Sequence, residues 1–200
     1  CLYAKLIYTV MTKYIAKVLS LTLALAAASN ISAADYADFD SPGAWKVSNP
    51  SSQQSIEWIT DYSPRLKVVK VTMLPIKQWY AEISPKNLPQ IAKSPEDLNL
   101  KVSWEFLCDT PEIMTQIAVR IVDSTGEVFQ FQKKVFPRSG QWQKAELLLT
   151  PDSVRNSWGG NNDKKLDYPL KFQSLILDGN KNGVSEVSYY IHNLKVEKNK

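Results

Sequence analysis

Two hundred residues with 24 basic and 20 acidic side chains carry a formal net charge of +4, and the surplus sits at the N-terminus, where Lys5, Lys13 and Lys17 fall among 34 residues that hold no acid. From Asp35 on the chain is nearly balanced, 21 basic against 20 acidic, with no run of Lys and Arg interleaved with aromatics, which excludes an electrostatic nucleic-acid surface. That part holds one cysteine, Cys108, and one histidine, His192, so it can form no internal disulfide and supplies too few His and Cys ligands for a zinc site.

Residues 1–34 read as a processing segment. Met11 and Lys13 to Lys17 make a basic start, residues 18–28 an apolar centre, and 29–34 a small-residue end. An apolar centre of about 11 residues is too short for a bilayer core that needs roughly 20, so the segment predicts a cleaved secretory signal and no membrane span after cleavage. Ser32 and Ala34 fit a cut before Asp35, and a cut after Ala33 fits nearly as well. Met11 is the expected start, with Cys1 to Val10 upstream of it. The mature chain then forms one domain, 35–200, secreted or periplasmic.

Beyond Asp35 the pattern is short apolar or alternating runs broken by Pro, Gly, Asn, Asp and Ser, which predicts strands nearly throughout. The expected strands cover 36–39, 45–47, 55–60, 66–73, 78–83, 98–108, 114–123, 127–136, 142–149, 172–177 and 187–196. Leu98, Leu100, Val102, Trp104, Phe106 and Cys108 alternate with Asn99, Lys101, Ser103 and Glu105, the mark of a strand with one face in a core and one in water. Asp123-Ser-Thr-Gly126 predicts a hairpin, and Cys108 in the apolar register reads as a buried thiol. Helical turns are expected only near 89–93 and over 150–158, where Thr150 would cap and Pro151 would open the turn. Many short strands without helix alternation predict an all-β fold, a two-sheet antiparallel β-sandwich with a core that includes Val102, Trp104, Phe106, Val119, Ile121, Leu147, Leu149, Ile176 and Ile191. His192 sits beside an expected bulge that brings Tyr189 and Ile191, then Leu194 and Val196, to the core; its plain reading is a hydrogen-bonded edge histidine, its sharper one an acid/base or metal role.

Four local patterns carry a resemblance: Asp38-Phe39-Asp40 with Trp45; Ser139-Gly-Gln-Trp142 leading into Ala145-Glu-Leu-Leu-Leu149; Trp158-Gly-Gly-Asn-Asn-Asp163; and Tyr189-Tyr-Ile-His-Asn-Leu-Lys-Val196. Together they resemble the galactose-binding-like jelly roll of carbohydrate-binding modules and of the N-terminal sandwich domains of bacterial glycoside hydrolases. The resemblance implies a jelly-roll sandwich with Trp45, Trp58 and Trp142 at packing positions, a polysaccharide or oligosaccharide partner, and a catalytic domain outside this chain. It also implies a structural calcium near the first and last strands, for which Asp38 and Asp40 are the available acids, although His192 stands where the family commonly has Asp. No other cofactor is expected.

Sugar recognition needs an aromatic plate for the apolar face of a pyranose and polar groups for its hydroxyls. Trp158 with Asn161, Asn162 and Asp163 on a long loop, Trp79 or Tyr80 on a strand, and Arg120 on the polar side of Ile117, Val119 and Ile121 are the candidates. Trp158→Ala is expected to lower affinity about tenfold. Catalysis would need two carboxylates across a cleft, and Glu57, Glu82, Glu105, Asp123 and Glu127 are in or beside strands without a spacing that pairs them. The sequence therefore points to a non-catalytic glycan-binding or hydrolase-accessory module, with a structural or protein-interaction domain of an envelope protein as the alternative and a jelly-roll glycosidase or polysaccharide lyase as the third.

Overall fold

Two antiparallel sheets face each other in a computed structural model that describes residues 43–48, 54–62, 65–113, 115–183 and 185–199. Residues 1–34, the strand expected at 36–39, and Asp38 and Asp40 lie outside the described residues. Twelve strands are present among the described residues: β1 Trp45–Val47, β2 Gln54–Tyr62, β3 Arg65–Met73, β4 Tyr80–Pro85, β5 Gln90–Ala92, β6 Leu100–Cys108, β7 Gln116–Val122, β8 Glu127–Lys134, β9 Gln143–Leu149, β10 Asn156–Gly159, β11 Leu170–Asp178 and β12 Val187–Lys198. One sheet has seven strands in the order β1-β4-β11-β7-β8-β10 with β5 beside β11; the other has five in the order β2-β3-β12-β6-β9. Neighbours distant in sequence, such as β4 with β11, give the crossing connections of a jelly roll.

The core lies between the sheets because alternate residues on each strand turn inward. Val102, Trp104 and Phe106 of β6, Leu147 and Leu149 of β9, Ile191 of β12 and Val119 and Ile121 of β7 are all buried there. Gly126 takes φ +88°, a left-handed conformation that suits glycine, and closes the β7–β8 hairpin while Asp123 Oδ1 accepts from the backbone of Thr125 and Glu127. In β12 the register shifts between His192 and Lys195, with Asn193 at φ +55°. This bulge delivers Tyr189, Ile191, Leu194 and Val196 to the core.

Four details correct the sequence expectations. Residues 90–92 form β5 against β11 rather than a helical turn, the ladder supplying the hydrogen bonds a short turn would have left to water. Over 150–158 the turn stops at Pro151–Ser153, and the chain becomes β10, paired with β8 from Asn156 to Gly159. Ile176 is buried on the outer face, because a bulge between Phe172 and Ser174 reverses the alternation and turns Leu175 and Leu177 inward in its place. His192 belongs to the central strand of the five-stranded sheet, not an edge: its Nδ1 stands 3.5 Å from the Lys67 carbonyl, and Trp142 packs edge-on against its ring at 6.3 Å instead of joining the core.

Candidate glycan-binding face

Alternation puts the small and polar residues of the seven-stranded sheet on its outer face. On β7, Ile117, Val119 and Ile121 go inward, so Ala118 and Arg120 go outward. Register then aligns Ala118 with Ile176, Ile176 with Glu82, Arg120 with Ser174 on one side and Gln130 on the other, and Tyr80 with Asp178. Ala118 and Ile176 form the floor of a hollow of about 310 Å³. Trp79, Tyr80, Arg120 and Gln130 stand along its rim, with Gln116, Asp178 and Lys181 around the rest.

Arg120 organises that rim. Its Nη1 donates to Glu82 Oε2 at 2.6 Å and its Nε to Gln130 Oε1 at 3.0 Å. Ser174 Oγ donates to the other Glu82 oxygen at 2.7 Å, and Gln130 passes the chain on to Gln132 at 3.0 Å. The guanidinium carbon lies 5.2 Å from the Tyr80 ring centre and 5.0 Å from that of Trp158, within cation–π range of both. A planar cation between two rings, tethered at two nitrogens, has few rotamers left, so its remaining N–H groups are held ready for a ligand oxygen.

Asp178 plays the complementary part. Its Oδ2 accepts from Thr115 N (2.7 Å), Thr115 Oγ1 (2.6 Å) and Gln116 N (2.9 Å), and Lys181 Nζ stands 3.5 Å away. Each cation of the hollow thus has a nearly buried carboxylate beside it, Arg120 with Glu82 and Lys181 with Asp178, and the hollow carries no net charge.

The Trp79 backbone is fixed from below. Its carbonyl accepts from Gly179 N at 2.9 Å, and Gln78 N donates to the carbonyl of Asn180. Buried Asn180 ties the segment further, its amide donating to the carbonyls of Leu74 and Ser185. Gly179 is needed for that approach, since a Cβ there would run into the backbone of Gln78, Trp79 and Tyr80. The Trp79 side chain is nevertheless 83% exposed, against 39% for Trp158.

Of the residues singled out in the sequence, Trp79, Tyr80, Arg120 and Trp158 come together on this face; Trp79 lies just before β4, outside its alternation, and lines the hollow together with Tyr80. Asn161, Asn162 and Asp163 are exposed beyond β10, around the β7–β8 hairpin: Asn161 donates to Asp167 at 3.0 Å, Asp163 accepts from Lys165 N at 2.9 Å, and Asn162 takes φ +52°. The carboxylates scatter. Glu82 belongs to the Arg120 cluster, Asp123 and Glu127 to the hairpin, and Glu57 and Glu105 to the other sheet. Gln116, Gln130, Asp178 and Lys181 were not foreseen, because their place at the hollow depends on which strands neighbour β7. The two-residue spacing of Ile117, Val119 and Ile121 was the one signal available for Gln116.

No known family profile and no curated protein matches the sequence. Among solved structures the two-sheet β-sandwich fold is shared with carbohydrate-binding modules and with parts of glycoside hydrolases. The family 11 carbohydrate-binding module of a cellulosomal cellulase of Clostridium thermocellum superposes with a TM-score of 0.55 at 15% identity, over 81% of this chain and 92% of that one. The same module in complex with a β-1,3-1,4-mixed-linked tetrasaccharide gives 0.55 at 14% identity, over 80% and 92%. An exo-β-agarase matches with a TM-score of 0.52 at 16% identity, over 80% of this chain and 24% of its own length. An arabinose-bound α-L-arabinofuranosidase matches at 0.53 and 13% identity, over 78% and 23%. The chain thus resembles a whole binding module and about a quarter of each of these enzymes.

Proposed function

We propose that this protein is an exported, non-catalytic module that binds an uncharged glycan on the outer face of its seven-stranded sheet and serves a glycoside hydrolase as an accessory domain. The observation that carries this reading is the hollow itself: an apolar floor, aromatic side chains at the rim, and fixed donors and acceptors in charge-balanced pairs. Such a surface matches a pyranose, which has an apolar face and a ring of hydroxyls. A uronate or sulfate would find Arg120 and Lys181 already paired with Glu82 and Asp178, leaving no uncompensated cation to receive its charge. The likeness to carbohydrate-binding modules and to parts of glycoside hydrolases supports the same reading.

Retardation of the protein in native gels containing mixed-linked β-1,3-1,4-glucan, agarose or arabinan, with alginate as the charged comparator, tests the proposal. Retardation by a neutral polysaccharide and none by alginate is expected. Retardation by alginate alone overturns the ligand class, and release of reducing sugar from any of the four makes the protein an enzyme. N-terminal sequencing of the secreted product near Asp35 tests export, and a product that keeps Met11 removes that part of the proposal.

A further inference from the structure

The three aromatic side chains of the binding face do different jobs. Tyr80 and Trp158 each lie against the guanidinium of Arg120, at 5.2 and 5.0 Å, so each ring already has a cation close to it. Trp79 has its backbone fixed by Gly179 and Asn180 while its indole stands 83% exposed at the rim of the hollow. A large indole held out in water on a pinned backbone is ordered at little entropic cost when a ligand covers it, and it contributes little to the fold.

Resting on the glycan-binding reading above, we infer that Trp79 is the stacking plate of the site, whereas Trp158 serves as a positioning residue that acts on the ligand through Arg120. Two consequences separate these roles. Trp79 supplies contact area directly, so any aromatic ring in its place retains part of the affinity. Trp158 holds the guanidinium against Glu82 and Gln130, so its contribution disappears once the guanidinium is gone.

The experiment is a double-mutant cycle read by calorimetric titration with mixed-linked β-1,3-1,4-glucan oligosaccharides and with agarose oligosaccharides, alongside thermal unfolding of every variant. Trp79→Ala is expected to lower affinity at least tenfold with Tm unchanged, and Trp79→Tyr to restore part of the loss. Trp158→Ala is expected to weaken binding in the wild-type background but to add less than a twofold change in an Arg120→Met background, where Trp79→Ala keeps its full effect. Unchanged affinity in a folded Trp79→Ala variant, or an undiminished effect of Trp158→Ala without Arg120, overturns the inference and leaves glycan binding standing. Failure of the wild-type protein to bind either probe or any neutral polysaccharide in native gels overturns both.

Discussion

Arg120 donates to Glu82 over 2.6 Å although their strands, β7 and β4, are not neighbours: β11 runs between them, and the pair closes across it above Ser174. Both side chains are largely shielded, with 14% and 10% of their surface exposed. Removing one partner leaves the other charge uncompensated, which for buried pairs costs about 3 to 5 kcal/mol. Glu82→Ala and Glu82→Gln both leave the Arg120 charge without its carboxylate, so each is expected to destabilise the protein by roughly 3 kcal/mol in urea unfolding. A much smaller loss for Glu82→Gln, which keeps shape and an acceptor oxygen, would remove the charge from the explanation.

Trp104 is the largest side chain that is fully buried, and its indole nitrogen has no hydrogen-bond partner among the described residues. Trp104→Ala should cost on the order of 3 to 5 kcal/mol through the cavity it leaves. Trp104→Phe keeps most of the apolar volume and removes an unpaired donor worth about 1 to 3 kcal/mol when buried, so its cost should be much smaller. Denaturant midpoints for the two variants check this, and a loss under about 1 kcal/mol for Trp104→Ala would be inconsistent with its place between the sheets.

Asn193 holds the β12 bulge at φ +55°, a conformation that Gly adopts freely and a β-branched residue resists. Asn193→Gly is expected to leave stability nearly unchanged, whereas Asn193→Val should lower it by about 1 to 2 kcal/mol. Asn193 is the extra residue of the bulge, so deleting it gives an unbroken period of two in which Tyr189, Ile191, Leu194 and Val196 all stay on the core face. Thermal unfolding should place Asn193→Val below both Asn193→Gly and the deletion.

Burial pushes the Cys108 thiol from 9.0 up to about 12, with the backbone at Thr110 and the charge of Asp109 as smaller influences. The folded state therefore favours the neutral thiol. Its contribution to stability is complete below pH 9 and is lost as pH rises toward 12, because the unfolded chain ionises first. The slope approaches about 1.4 kcal/mol per pH unit for one proton. Urea unfolding between pH 8 and 11 should show the wild-type protein losing stability more steeply than Cys108→Ala, because that variant lacks the thiol and also the part of the upward push on Tyr189 that Cys108 adds to burial. Parallel curves would mean the thiol is not held neutral by burial.

Composition and local pattern determined a good deal of this protein on their own. The alternation of 98–108 set the face of β6 that is buried, Gly126 and Asp123 set the hairpin, and the broken apolar pattern of 189–196 set the bulge, because each is a short-range consequence of a two-residue period and of which residues accept a left-handed backbone. The same alternation put Arg120 on a surface. Which residues surround it on that surface was decided by tertiary structure alone. Glu82, Arg120, Gln130, Asp178 and Trp158 come from five strands whose order in the sheet follows from crossing connections, and no local period encodes strand order. The bulge at Phe172–Ser174, which exchanges Ile176 for Leu175 and Leu177 in the core, and the pairing that draws 156–159 into β10 depend likewise on partner strands far away in sequence. Chemistry at the level of one strand can be read from the chain, whereas a binding face is a property of neighbours, fixed only when burial of both sheets selects which strands lie side by side.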